Sequence, residues 1–307
     1  MQEAQRPDFP KNLMEFAERF HNEDACRKYL FAQRWPEGFR CPQCGHDHGW
    51  LNKRWLVECS NCHHQTSLTA GTIMHGTRKP LLMWFRAMWW VCTQKPGVSA
   101  AGLKRLLGLK STQTAWAWLH KLRRAMIRAG REKLSGRVQI DDAFIGGEEP
   151  EVAGRQSLKK SRIAVAVEIK EAGRGLGRIR IQQIVDFSAS SLVSFTIFNV
   201  ESGAIIETDG WRGYNPLEEM SFTRVILRAK DSPENPLPHV NRVVSLLKRW
   251  LLGTHQGRVS KKHLQHYLDE FVFRHNRRKS KDVGLLFQRM LKQSADTGHT
   301  PYKMLVT

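Results

Sequence analysis

The chain has 307 residues, 41% of them apolar and 25% charged, an ordinary globular balance that excludes a disordered or fibrous protein. Against 29 Asp+Glu stand 49 Lys+Arg, a net charge of +20, which points to a polyanionic partner, most often nucleic acid. "MQEAQRPDFPKNLMEF" lacks the apolar core of a signal peptide, and "PLLMWFRAMWWVCTQK" is interrupted by Arg86 and too short to span a bilayer. The expectation is a soluble cytoplasmic protein with no membrane partner, whose six cysteines serve metal or remain thiols before they form disulfides.

Residues 1–36 read as a short helical lead-in. Residues 37–77 carry two Cys-x-x-Cys knuckles, Cys41 with Cys44 and Cys59 with Cys62, separated by fourteen residues. Two such knuckles offer four thiolates in tetrahedral reach, the donor set of one structural zinc. The intervening "WLNKRWLVE" alternates like a strand, so a zinc ribbon is the natural fold; paired redox dithiols are the competing reading. His46, His48, His63 and His64 lie close by, but four cysteines already close the shell. Cys26 and Cys92 sit in helical stretches and read as core residues.

Residues 78–135 are helical. Between 78 and 131 there are twelve Lys/Arg and no Asp or Glu. A first helix ends at Gly108, and Ser111 or Thr112 can cap a second, which is the outline of a helix-turn-helix. Trp116, Leu119, Leu122 and Ile127 are expected in the core, with Lys121, Arg123 and Arg124 directed toward DNA. A plain helical hairpin with a solvated basic face is the alternative.

From 136 to 307 the pattern changes to strands mixed with helices. "RVQIDDAFIGGE", "RIAVAVEIK", "GRIRIQQIVDFS", "AIIETDG" and "FTRVILR" read as strands, with a Gly-rich hairpin at 173–177 and helices over "SASSLVSFTIFN" and from near His239. Asp141 and Asp209 both stand where apolar strands give out. Carboxylates brought side by side repel and raise each other's pKa, a penalty that a divalent cation removes. Mg²⁺ takes carboxylate oxygens, keeps waters and completes its shell with phosphate, and two such ions suit an in-line phosphoryl displacement.

"VQIDDAFIGG", "TDGWRGYNPL", "HVNRVVSLLKRWLLGTHQG" and "YLDEFVFRHNRR", in this order, resemble the DDE-type transposases of bacterial insertion sequences, in the branch with an N-terminal zinc ribbon. The resemblance covers roughly residues 10–300. It implies a multidomain α+β protein: zinc ribbon, helix-turn-helix-like segment, and an RNase H-like α/β catalytic domain. It further implies DNA cleavage and strand transfer with two Mg²⁺ or Mn²⁺ ions, terminal inverted repeats and target DNA as double-stranded partners, and a homodimer or larger assembly at the nucleoid. Carried onto this sequence, the first two acids fall on Asp141 and Asp209, with Asp142 auxiliary. The third position holds Asn241 where much of the superfamily has glutamate, and Lys248 follows seven residues later on the same helical face. This Asp-Asp-Asn-Lys set keeps a hard amide oxygen for the metal and a point charge for phosphate. Glu234 is a spare carboxylate for the third place. Arg212, beside Trp211 and Tyr214, and Arg277 and Arg278 of "RHNRRKSK" are candidate DNA contacts. Two other readings compete: a catalytically inactive DNA-binding protein (regulator or relic), favoured by Asn241, and a structure-specific nuclease without strand transfer.

Overall fold

The computed structural model describes residues 8–128, 130–147, 149, 156–157, 159–170, 175–228, 235–257 and 259–306. They group into two compact units, Met1–Arg128 with Ser280–Thr307, and Ala129–Lys279.

In the first unit, α1 (Leu13–Arg19) and α2 (Glu23–Arg34) start at Asn12 and Asn22, whose side chains accept the N–H of Glu15 and Ala25. Strands β1 (Gly49–Leu51), β2 (Leu56–Cys59) and β3 (Gln65–Ser67) form an antiparallel three-stranded sheet. The segment between the knuckles is therefore a hairpin and not one strand. Asn52 turns it by accepting from the N–H of Arg54 and Leu56, which leaves Trp55 at φ +60°. Three helices follow: α3 (Leu81–Thr93), α4 (Ala100–Leu107) and α5 (Thr112–Ala125). Ser99 caps α4, Gly108 ends it in the left-handed region at φ 60°, and Ser111 Oγ caps α5 at the Gln113 N–H. A side chain at Gly108 would oppose that turn.

The second unit contains β4 (Arg137–Ile145), β5 (Ser161–Ile169), β6 (Leu176–Ile184), α6 (Ala189–Asn199), β7 (Ile205–Thr208), β8 (Thr223–Ile226), α7 (Pro238–His255) and α8 (Leu264–Asn276). The sheet order is β6-β5-β4-β7-β8, antiparallel through the first three strands and parallel across β4–β7 and β7–β8. β4 does not end at its acids. β5 pairs it from Asp141↔Val165 on to Ile145↔Ser161, and only the partnership with β7 stops, at Gln139↔Glu207. Val240, Val243 and Leu247 of α7 and Leu268 of α8 bury one face against Ile163, Val165 and Val167. Leu192 and Phe195 of α6 bury the other against Val138, Ile140 and Ile206. The expected mixed α/β architecture is what the chain adopts.

The β6 edge is covered by side chains of α8 acting as a surrogate strand. Asn276 accepts from the Ile179 N–H (2.8 Å) and donates to its carbonyl (3.2 Å), while Gln265 accepts from the Gln183 N–H (2.8 Å). An edge so occupied cannot template pairing with another chain.

The last helices, α9 (Val283–Asp296) and α10 (Tyr302–Val306), belong to the first unit, whereas the sequence reading ran one domain from 136 to 307. Phe287 explains the difference: it is fully buried, with ring centroids 5.3–5.8 Å from Phe16, Phe20, Phe85 and Trp89. A Cβ at Gly284 would run into the Pro10 carbonyl, so α9 lies tight on the N-terminal segment.

Candidate functional site

The two cysteine knuckles close on each other. Sγ of Cys41 and Cys62 are 3.6 Å apart, as are those of Cys44 and Cys59, and all four lie within 4.8 Å of one another. A tetrahedral ion with Zn–S bonds of about 2.3 Å spaces its sulfurs by about 3.8 Å, so the four thiolates fit one structural zinc. Each knuckle is built alike: Gly45 and His63 turn in the left-handed region and donate to the Cys41 and Cys59 carbonyls, while Cys41 and Cys59 donate to those of His46 and His64. The His46 N–H holds the Cys44 thiol down to about 6, and the Cys62 N–H lowers Cys59, which readies both as thiolates. His46, Asp47 and His48 form a separate exposed cluster of donors.

The basic residues divide by burial. Arg124 is exposed, Lys121 is half-buried with its ammonium pKa lowered by desolvation, and Arg123 is 1% exposed, a core residue of α5. Besides Arg124, α5 is exposed at its first turn, Thr112 and Gln113, preceded by the exposed Lys110. Arg212 is exposed at the start of a 3-10 stretch, Arg212–Glu219. Arg277 lies 4.0 Å over the Phe273 ring. Arg278 donates to the carbonyls of His275, Gly177 and Leu176, joining the end of α8 to the start of β6.

β4, β7 and the start of α7 are joined by strand register and by one amide, that of Gln139. Parallel pairing sets Gln139 opposite Glu207, and each aspartate lies two residues further along its strand. Side chains alternate across a strand. Val138, Ile140 and Phe144 face α6, whereas Ala143 and Ile145 join the cluster on α7 and α8, so Asp141 faces α7 and Asp142 the opposite side. This separation distinguishes the two neighbouring acids. Asp209 follows β7 directly, its Oδ1 accepting from the Trp211 N–H at 3.0 Å in a turn of the Asx type. Arg224 of β8 supports that turn by donating to Thr208 Oγ1 and to the Asp209 carbonyl.

Asn241 stands in the first turn of α7, exposed, with its Nδ2 donating to Asn235 Oδ1 at 2.7 Å. Lys248 is exposed on the same side, along the flank of the buried stripe Val240, Val244, Leu247 and Leu251. Glu234 lies outside the described residues, as do positions 173 and 174 of the Gly-rich hairpin. Two residues that the sequence reading passed over hold these segments together. Gln139 Nε2 donates to Glu207 Oε2 (2.9 Å), and its Oε1 accepts from the N–H of His239 (3.0 Å) and Val240 (3.3 Å). The available signal was a polar side chain inside each apolar strand, two positions before each aspartate.

Residues 133–276 match the ISXO2-like transposase domain and residues 21–65 the transposase zinc-ribbon domain. The chain is also 25% identical over 277 residues to the uncharacterized protein in transposable element ISH50 of Halobacterium salinarum, covering 83% of this chain and 91% of that protein. A cysteine ribbon ahead of an acid-bearing mixed sheet thus defines the class: a transposase, a DNA-binding and DNA-cleaving protein. The chain belongs to the insertion-sequence transposases in which a zinc ribbon precedes an ISXO2-like domain. Among the described residues, no helix is long and apolar enough to cross a membrane.

Proposed function

We propose that this chain is an active transposase that cuts the ends of its own element and joins the freed 3′-hydroxyl to target DNA. Asp141, Asp209 and Asn241 are the residues proposed to hold two Mg²⁺ or Mn²⁺ ions, and Lys248 to hold a DNA phosphate. When bound, the ions would supply charge neutralisation for the paired carboxylates and for the phosphate under attack. The carboxylates keep the centre anionic and hard, Asn241 adds a neutral oxygen, and Lys248 orients the strand as a point charge. The observation that carries this reading is the common offset of Asp141 and Asp209 from the Gln139–Glu207 pair, with α7 fastened to the same pair.

Terminal inverted repeats are assigned to the ribbon and to α4–α5. In a helix-turn-helix the second helix enters the major groove by its N-terminal residues. The exposed first turn of α5 gives that role to Thr112 and Gln113, with Lys110, Arg105 and Arg124 on phosphates. Two ends must be cut in concert, so the working form is a dimer or larger assembly on chromosomal DNA in the cytoplasm.

The test is a strand-transfer assay on labelled terminal repeats with Mg²⁺ or Mn²⁺. Asp141→Ala and Asp209→Ala should each abolish cleavage and joining while leaving repeat binding intact. Full activity in either variant would sink the assignment. Repeat binding without cleavage by the native protein would instead support the regulator reading that Asn241 allows.

A further inference from the structure

We infer that Gln139 is a positioning residue that sets the metal affinity of the candidate centre without touching a metal. The inference rests on the reading of Asp141 and Asp209 given above.

α7 begins without a cap of its own. Leu237 occupies the cap position with no side-chain hydrogen bond, and Pro238 is the first helical residue. The first N–H groups of a helix have no partner within it, and proline removes only its own. The next two, those of His239 and Val240, are both taken by Gln139 Oε1 from the neighbouring strand. The helix that carries Asn241 and Lys248 is therefore capped from β4 and cannot slide or turn on the sheet without losing both bonds.

The other end of the same amide is committed as well. Nε2 donates to Glu207, a carboxylate only 2% exposed, whose second oxygen takes Arg137. Gln139 is itself 3% exposed. Position 139 thus needs an acceptor for two N–H groups and a donor for a carboxylate in one side chain. A planar amide supplies both on separate atoms, and asparagine is one methylene shorter. Because Gln139 and Glu207 each precede an aspartate by two residues, any displacement of the pair is passed along the strands to both aspartates. Partners of this outer kind govern how well ligands meet a metal.

The experiment uses the full-length zinc-loaded protein and titrates Mn²⁺ by the loss of its free-ion electron-spin resonance signal. Melting curves and strand-transfer rates at several Mn²⁺ concentrations are recorded in parallel. Gln139→Glu sets a carboxylate against Glu207 and removes the donor; we expect Mn²⁺ affinity to fall by about tenfold to a hundredfold. The reciprocal pair Gln139→Glu with Glu207→Gln exchanges donor for acceptor while keeping every hydrogen bond matched, Arg137 then meeting an amide oxygen in place of a carboxylate. It should return Mn²⁺ affinity to within about threefold of native, since no hydrogen bond to a ligand's support is then missing. A folded Gln139→Glu protein with native Mn²⁺ affinity overturns the inference. So does a folded reciprocal pair that keeps the weakened affinity, because the exchange preserves every hydrogen bond of Gln139. Asp141→Ala in the same titration separates the two levels: unchanged Mn²⁺ binding there removes the proposed centre and this inference with it. Lost binding there, beside unaffected Gln139 variants, removes only the inference.

Discussion

Asp141 on β4 and Asp209 just past the end of the parallel neighbour β7 each stand two residues beyond the register pair Gln139–Glu207. The proposed centre, two carboxylates and the neutral amide of Asn241, is one charge short of a three-acid set. Ligand charge count is a main determinant of divalent-cation affinity. Asn241→Asp is therefore expected to lower the Mg²⁺ concentration for half-maximal strand transfer by about tenfold. A rise, or no change with activity retained, would place Asn241 away from the ions.

The ribbon makes an independent prediction. Elemental analysis should find one zinc per chain, since one set of four sulfurs lies within 4.8 Å. Cys59→Ser should release it and unfold the ribbon, because structural zinc contributes on the order of 10 kcal/mol to small domains of this kind. Proteolysis within residues 37–77, with the sheet unit still protected, is the expected signature. Full zinc content in Cys59→Ser would show that another donor, such as the nearby His63 or His64, completes the shell.

Burial separates two adjacent arginines by function. Arg124 is exposed and Arg123 is 1% exposed. Arg124→Ala should weaken binding to every DNA sequence and reduce the slope of log K against log salt by about one. Gln113→Ala should cost about 1–3 kcal/mol on the cognate repeat and little on random duplex. Arg123→Ala should destabilise the unit by about 3 kcal/mol, since it leaves a cavity where a long, fully buried side chain packs. Its DNA salt slope should match native. Fluorescence anisotropy across a salt series, with urea unfolding alongside, distinguishes all three.

Much of this was legible in the sequence because the signals were local. Cysteine spacing, Gly108 and Ser111 at a helix-turn-helix corner, and carboxylates after apolar strands each state their chemistry within a few residues. What was missed depends on long-range partners. The basic character of α5 gave no sign that Arg123 turns inward, because helical spacing marks a buried face but not how broad it is. The placement of α9 on the first unit rests on Phe287 among Phe16, Phe20 and Phe85, contacts between residues far apart in the chain. Asp141 read as the end of a strand because charge breaks the alternation, yet β5 continues to pair beyond it. Gln139 looked incidental until Glu207 and α7, 68 and 100 residues away, were seen to share it.

The final prediction concerns pH. Asp269 of α8 is half-buried, and desolvation pushes its pKa from 3.8 up to about 6, opposed by the Gln265 hydrogen bond and by Arg131. A raised carboxyl pKa means that the folded state holds the proton more tightly than the unfolded state. Its contribution to stability is then full below about pH 4, declines as pH rises to about 6, and is constant thereafter. On the same helix His275 has the opposite slope. Burial lowers it from 6.5 to about 4, so stability falls as pH drops through that interval. The native profile mixes the two, but the difference between native protein and Asp269→Asn isolates the first. Asparagine keeps an acceptor for Gln265 and never ionises. At pH 8 it should stabilise the sheet unit by about 1 kcal/mol, the shift discounted for residual solvent contact, and so raise its melting temperature by about 2–4 °C. At pH 4 the two proteins should melt together. A stabilisation equal at both pH values would mean that packing, and not ionisation, separates them.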